Sequence, residues 1–240
     1  MTRFTVAGFN AHWGIDRNGS TNRRRFDVVP IVRSFDADLV VIPESFRYDD
    51  GRTILDGLED TYEIRSVAFS RLFDETDGSH KRYRGFEPGT WELAVLSRLP
   101  ARDWREIPID KVFRDHADSR HVLECTVDVG GTDVSFVGVH VSSKLWYAGP
   151  IVHLRSIMRE LPPKDGPAVI AGDFNFWGPG VSRIARGWRR TVRGRTYPAP
   201  RPHSQIDHIL VNDRVAVEDA TVLGDVRSDH LPVRATLSVH

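Results

Sequence analysis

Eight short apolar runs, at positions 4–9, 39–42, 93–96, 122–129, 134–139, 168–171, 206–211 and 233–237, constrain what this chain can fold into. Each is four to eight residues long and rich in Val, Ile and Phe, and turn-forming residues separate them. Runs of that length and content read as strands, several of them buried on both faces. Helical patterns are fewer. Ile151, Leu154, Ile157, Met158 and Leu161 make one apolar stripe at helical spacing, opened by Gly149-Pro150 and closed by Pro162-Pro163. A second stretch, 22–34, puts Phe26, Val29 and Val32 on one side, with Pro30 placed to kink it. A third, 181–189, is short and rich in arginine, and the segment 46–91 reads as long loops around one or two weak elements. Strands interleaved with helices and hairpins imply an α/β protein in which sheets pack face to face with helices outside.

The 240 residues, 40% of them hydrophobic, suffice for one large core, and the spacing of the motifs below argues for a single domain over 1–240. Zero formal net charge means that no global field draws the protein to nucleic acid or anionic lipid, so any such attraction is local. A single cysteine, Cys125, excludes an internal disulfide framework and fits a reducing compartment. With no signal-like N-terminus and no uninterrupted apolar segment long enough to span a bilayer, the expectation is a monomeric cytoplasmic protein without stable membrane insertion.

The polar residues that follow these runs carry the chemistry. Asn10 closes the first, Glu44 follows the second, His140 ends the fifth, Asp173 and Asn175 follow the sixth, and Asp229-His230 precedes the last. Strand ends in open α/β sheets share one edge where ligands bind, so loops far apart in sequence converge there. An anionic phosphodiester repels hydroxide. Its hydrolysis therefore needs a cation on the phosphoryl oxygens, a base for water and stabilisation of the leaving alkoxide. Oxygen ligands such as Glu44, Asp229 and Asn10 suit Mg²⁺ or Mn²⁺, and no cysteine cluster or His-Glu-x-x-His motif argues for zinc.

Phe9-Asn10, Ile42-Pro43-Glu44, Ala94-Val95-Leu96-Ser97-Arg98, Gly138-Val139-His140, Gly172-Asp173-Phe174-Asn175, Gln205-Ile206-Asp207-His208-Ile209 and Ser228-Asp229-His230 occur in this order. In this pattern the chain resembles the endonuclease/exonuclease/phosphatase superfamily, from Asn10 to His230. Gly-Asp-Phe-Asn alone would read as a strand ending in an Asx turn; the motifs together carry the resemblance. It implies a four-layered α/β sandwich, two packed mixed β-sheets flanked by helices, with one metal-dependent site. In that site Glu44 would be the main metal ligand with Asn10 and Asp229 close by. Asp173 and Asn175 would orient the nucleophilic water and bind the phosphoryl group, and His230 would be held by Asp207. Glu92 would hold His140, as in the deoxyribonuclease and sphingomyelinase branches. Two imidazole–carboxylate dyads would then face the phosphate, each carboxylate raising its histidine's pKa.

The chain departs from the family pattern at Pro43, where relatives carry Gln, at Leu93, where Asn is common, and at His12, where relatives often have Asp, Asn or Arg. His208 is expected to point away from the site. His80, His116, His121, His153 and His240 are expected on the surface or in the core, with His12 the exception by position.

Seven arginines fall between Arg183 and Arg201, and no acid occurs between Phe174 and Ile206, which leaves the rest of the chain with a formal charge of −7. Arg183, Arg186, Arg189, Arg190, Arg193 and Arg195 could grip phosphates flanking the site, Trp188 and Tyr197 could stack on bases, and Trp146 and Tyr147 could wall the cleft. The expected function is a Mg²⁺- or Mn²⁺-dependent phosphodiester hydrolase, a nuclease acting on DNA through attack by a metal-activated water. A phospholipid or small-molecule phosphoesterase of the sphingomyelinase type, or an inactive binding module of the same fold, is the alternative.

Overall fold

The computed structural model describes residues 1–18, 24–73, 83, 85–144, 148–161 and 165–240. Asn22, at the expected helix start, His80, the Trp146-Tyr147 pair and the Pro162-Pro163 stop lie outside them.

Among the described residues twelve strands form two six-stranded sheets. The first contains β1 (Thr2–Gly8), β2 (Leu39–Tyr48), β3 (Glu63–Leu72), β4 (Gly89–Ser97), β11 (Ala216–Val222) and β12 (Val233–Val239), in the order β11-β12-β1-β2-β4-β3. The second contains β5 (Ala101–Pro108), β6 (His121–Val129), β7 (Thr132–His140), β8 (Ala168–Asp173), β9 (Arg189–Arg190) and β10 (Asp207–Val211), in the order β5-β6-β7-β8-β10-β9. Both are mixed: β1–β2 and β7–β8 are parallel and the other neighbours antiparallel.

Strand alternation sorts the apolar residues into three cores. Phe4, Val41, Trp91, Val95, Phe136, Val169 and Ile209 meet between the sheets. The opposite parity of the first sheet, Val40, Ile42, Ala94 and Leu96, packs with Phe26, Val32 and Phe35 around α1 (Val29–Ser34). That of the second, Val137, Val139, Ile170 and Leu210, packs under α2 (Ala148–Glu160) and α3 (Gly178–Ile184). The result is a four-layered α/β sandwich, thin on the α1 side. Gly138 belongs to the central interface, where a Cβ would lie 2.6 Å from a Val95 methyl, so the sheets approach closely there.

All eight apolar runs are strands. The four strands that the runs do not reveal, β3, β5, β9 and β11, are the four edges of the two sheets. The segment 46–91 is therefore more regular than expected: it contains the ends of β2 and β4 and all of β3, where Val67, Phe69 and Leu72 are buried while Glu63 and Arg71 face outward. Pro30 does not kink a longer helix. It occupies the first turn of a six-residue helix, where its missing N–H costs nothing, and Asp27 accepts the Val29 amide at 3.0 Å. The arginine-rich helix also starts earlier than expected, at Gly178. Cys125 is buried, and that burial pushes its thiol up to about 12.

Candidate active site

Three strands of the second sheet deliver site residues by the same parity. Asp173 continues the inward series Val169–Ala171 of β8, Asp207 the series Ile209–Val211 of β10, and His140 the series Val134–Phe136 of β7. Register places His140 opposite Asp173, and Asp173 opposite Asp207. Gly172, at φ 140°, makes this possible, because a Cβ there would meet the Val139 carbonyl at 2.0 Å.

The first sheet supplies Glu44 through a bulge in β2 between Ile42 and Ser45, with Glu44 in the left-handed region at φ 54°. A bulge inserts an unpaired residue and re-aims the side chain, which turns Glu44 into the cleft. Pro43 tolerates this position because a bulge releases a backbone donor, and its carbonyl accepts the Ala11 amide at 2.9 Å. Ser228, fully buried, ties the C-terminal loop to the first strand by donating to the Asn10 carbonyl at 2.7 Å, and accepts the His230 amide at 3.2 Å.

These elements enclose a cleft of about 470 Å³ with Glu44, His140, Asp173, Asn175, Asp229 and His230 in its lining. Asp173 is 1% exposed and lies at the centre. Its Oδ2 accepts Asn10 Nδ2 at 3.0 Å and Asn175 Nδ2 at 3.3 Å, and its Oδ1 accepts the Asn175 amide at 2.7 Å. Nε2 of His140 lies 3.7 Å and Nε2 of His230 3.8 Å from the same Oδ2. Burial and the charge of Asp207 push the Asp173 carboxyl up.

The two imidazoles differ. His230 donates from Nδ1 to Asp207 Oδ2 at 2.9 Å. Burial alone would lower its pKa, but Asp207 and Asp173 outweigh that and hold it well above the ordinary value. His140, 3% exposed, has no partner at Nδ1 among the described residues. Burial, the Arg120 guanidinium and His230 drive its pKa well down. With Glu44 Oε1 at 3.8 Å and Asp173 Oδ2 at 3.7 Å as the acceptors near Nε2, the neutral ring carries its proton on Nε2.

Glu92 does not hold His140, contrary to the expected second dyad. It shares the parity of Ala94 and Leu96, so it faces outward, where Arg47 Nε donates to it at 2.7 Å. The inward residue at this point of β4 is Trp91, whose ring lies 5.3 Å from that of His140.

Arg189, Arg190 and Arg193 are not among the residues lining the cleft. Arg189 and Arg190 pair with Val211 and Leu210, at the end of β10 remote from Asp207. Arg189 Nη2 donates to the Val215 carbonyl at 2.9 Å, and Arg190 donates to Ser182 and Gln205. Trp188 is buried in the outer core and cannot stack on a base, whereas Tyr197 does line the cleft, 4.7 Å from the His230 ring. The His208 expectation agrees with the geometry: its Nε2 donates to the Phe176 carbonyl at 3.0 Å on the outer face.

The cation of the cleft is instead Arg120, a residue that no sequence motif marks. It is 6% exposed, donates to the His140 carbonyl at 3.0 Å, pairs with Asp115 at 2.7 Å and stacks 4.9 Å from Trp91. Asp115 also accepts Ser142 Oγ, so one network fixes the backbone on both sides of His140. His116 lines the cleft too, although nothing in its sequence context sets it apart from the other histidines, and so does His12. His12 donates from Nδ1 to the Ile15 carbonyl at 2.9 Å and accepts the Tyr83 hydroxyl at 2.7 Å.

For a metal the fit is good. Glu44 and Asp229 bring two carboxylates to one cleft, and burial with the charge of Asp229 pushes the Glu44 carboxyl up. Among the described residues Glu44 pairs with no arginine or lysine. Asn10 Oδ1 accepts the His12 amide at 3.0 Å and keeps a second lone pair. A partly buried, repelling pair of hard oxygen donors suits a hard divalent cation. A second compact group, Asp173, Asp207 and His230, also has ligand atoms within 4.8 Å of one another. There, however, Nδ1 of His230 is engaged by Asp207, which favours a hydrogen-bonded dyad over an inner-sphere site.

Comparison with known proteins agrees with the fold. An uncharacterized protein of Escherichia coli K12, YbhP, is 26% identical over 98% of this chain and 96% of its own length. A solved endonuclease/exonuclease/phosphatase from Beutenbergia cavernae superposes with a TM-score of 0.75 at 19% identity, covering 100% of this chain and 72% of that one. A mannosyl-6-phosphatase from Bacteroides thetaiotaomicron superposes with a TM-score of 0.70 at 15% identity, covering 98% of this chain and 99% of that one. The model of the Endonuclease/Exonuclease/phosphatase family matches residues 7–230. The chain belongs to this family, whose members are generally hydrolases of phosphoester bonds.

Proposed function

We propose that this protein is a Mg²⁺- or Mn²⁺-dependent phosphodiester hydrolase acting on nucleic acid, with DNA the favoured substrate. The observation that carries the reading is the convergence on Asp173 Oδ2 of two amides and two imidazoles drawn from both sheets. In this reading Asp173 takes the proton of the attacking water, and the amides of Asn10 and Asn175 fix the direction in which its oxygens point. His230, charged through Asp207, faces the phosphoryl oxygens as negative charge builds on them. His140 donates a hydrogen bond from neutral Nε2, and Arg120 and Trp91 hold its ring and backbone in place. Glu44, Asp229 and Asn10 would hold the divalent cation, which when bound neutralises phosphoryl oxygens and the departing alkoxide. The acid-free arginine segment favours a polyanionic substrate.

The structural relative named a mannosyl-6-phosphatase motivates a second reading, a small phosphomonoester, and the aromatic walls Trp13, Trp91 and Tyr197 are compatible with a sugar ring. A panel of plasmid DNA, single-stranded DNA, RNA, sphingomyelin micelles and mannose 6-phosphate, assayed with Mg²⁺ or Mn²⁺, separates these. The proposal expects turnover on DNA. Turnover confined to the monoester or to lipid overturns it, and the absence of any turnover favours a binding module.

A further inference from the structure

The outer helical layer carries a second concavity, about 510 Å³, that the catalytic reading does not use. Phe176 forms its floor, seated beneath Gly180, where a Cβ would approach the Phe176 ring to 2.3 Å. Ile151 and Arg155 of α2 form one wall, and Arg183, Ile184 and Arg186 the other. Trp177 stands at the rim, 51% exposed, one of the few large apolar side chains left in solvent.

The groove gathers three arginines in one concavity. Many exposed arginines are neutralised, among them Arg33 by Asp60, Arg71 by Asp49, and Arg159, one turn beyond Arg155, by Asp110 and Glu160. Arg155, Arg183 and Arg186 have no carboxylate partner among the described residues, and no acid lines the groove. Three uncompensated guanidiniums around an exposed indole complement an anion that also carries a planar ring. A concave floor receives a strand; a membrane surface calls for apolar side chains that protrude from a convex face. Along the chain the groove neighbours the cleft: Asn175 lines the cleft, Phe176 the groove and Trp177 its rim. Two residues span at most about 7 Å, close to the spacing of successive phosphates along a strand.

We propose that this groove is a secondary binding site for a single strand of nucleic acid, in which Trp177 stacks on a base one or two nucleotides from the scissile phosphate and Arg155, Arg183 and Arg186 hold the phosphates beyond. The assignment rests on the nuclease reading of the cleft. It predicts sequence-tolerant contacts with a strong salt dependence.

The test uses the full chain in EDTA with a fluorescein-labelled 16-nucleotide single strand read by anisotropy, alongside hydrolysis of bis(p-nitrophenyl) phosphate in Mn²⁺. Trp177→Ala is expected to weaken the oligonucleotide about tenfold, and R155E, R183E and R186E together to flatten the log–log salt slope by about 2 to 3. Hydrolysis of the small diester, too short to reach the groove, should stay at the wild-type rate. Unchanged oligonucleotide affinity and slope in both variants, while the wild type cleaves DNA, would overturn the groove and leave the nuclease reading standing. Loss of binding to phosphatidylserine vesicles with oligonucleotide binding intact would likewise overturn it, in favour of a membrane. A wild type that neither binds nor cleaves nucleic acid refutes both.

Discussion

His230 and His140 approach the same oxygen of Asp173 from nearly equal distances, 3.8 and 3.7 Å, and both rings are buried. One is held well above its ordinary pKa and the other well below it. Position in the cleft does not separate them; the atom behind each ring does. Asp207 stands at Nδ1 of His230, whereas Nδ1 of His140 has no hydrogen-bond partner among the described residues, and Arg120 adds a repelling charge nearby. Burial disfavours the imidazolium in both, and only a carboxylate partner reverses it. A cleft with one charged and one neutral imidazole can stabilise anionic charge on one side and donate a neutral hydrogen bond on the other.

The comparison breaks most completely if its common acceptor is removed. Asp173→Ala is expected to lower kcat by about 10⁴-fold or more with native far-UV circular dichroism retained; a rate within tenfold of wild type would show that the two imidazoles do not converge on the working group. A matched pair of substitutions sharpens the contrast. His230→Gln removes a charge that an amide cannot replace and should cost about 10³-fold in kcat, whereas His140→Gln keeps a neutral N–H donor and should cost about tenfold. Equal losses would mean that both rings work in the same protonation state. Glu92→Gln should change kcat less than about threefold and leave the pH–rate profile where it is, because Glu92 contacts Arg47 and not His140; a displaced profile would restore the second dyad.

The smallest effect concerns stability. Burial lowers the pKa of His208 to about 4, against 6.5 for the free side chain. Between these values the unfolded chain binds a proton that the folded one does not, so stability is complete above pH 6.5 and falls as pH drops towards 4. For this one group the loss is about 2 to 3 kcal/mol. Urea unfolding at pH 7 and pH 4.5 should show a steeper acid loss in wild type than in His208→Gln; parallel losses would assign the acid limb elsewhere.

What was legible in the sequence follows from where each residue lies. Strands β1, β2, β4, β6, β7, β8, β10 and β12 are interior, apolar on one or both faces, and read directly from composition. The edges β3, β5, β9 and β11 put Glu63, Arg102, Arg105, Glu218 and Asp219 into water, and charged edges that prevent sheet-to-sheet aggregation also erase the apolar signal. At the site, motifs at strand ends marked Asn10, Glu44, His140, Asp173, Asn175, Asp207, Asp229 and His230, and the fold gathers them in one region. Glu92 failed on parity: Trp91, Leu93 and Val95 form the inward set, and an alternation count along β4 would have turned the glutamate outward. Arg120 was not legible, because its place in the cleft depends on Asp115, His140 and Trp91, contacts that no local pattern encodes.

The central claim is that the groups around Asp173 form a phosphodiester-cleaving centre dependent on a divalent cation. The most direct measurement is hydrolysis of bis(p-nitrophenyl) phosphate by EDTA-dialysed protein, before and after addition of Mg²⁺ or Mn²⁺, with Asp173→Ala in parallel. The account predicts no turnover in EDTA, turnover restored by either cation, and none in the variant. Turnover that persists in EDTA, or that survives unchanged in Asp173→Ala, would contradict it.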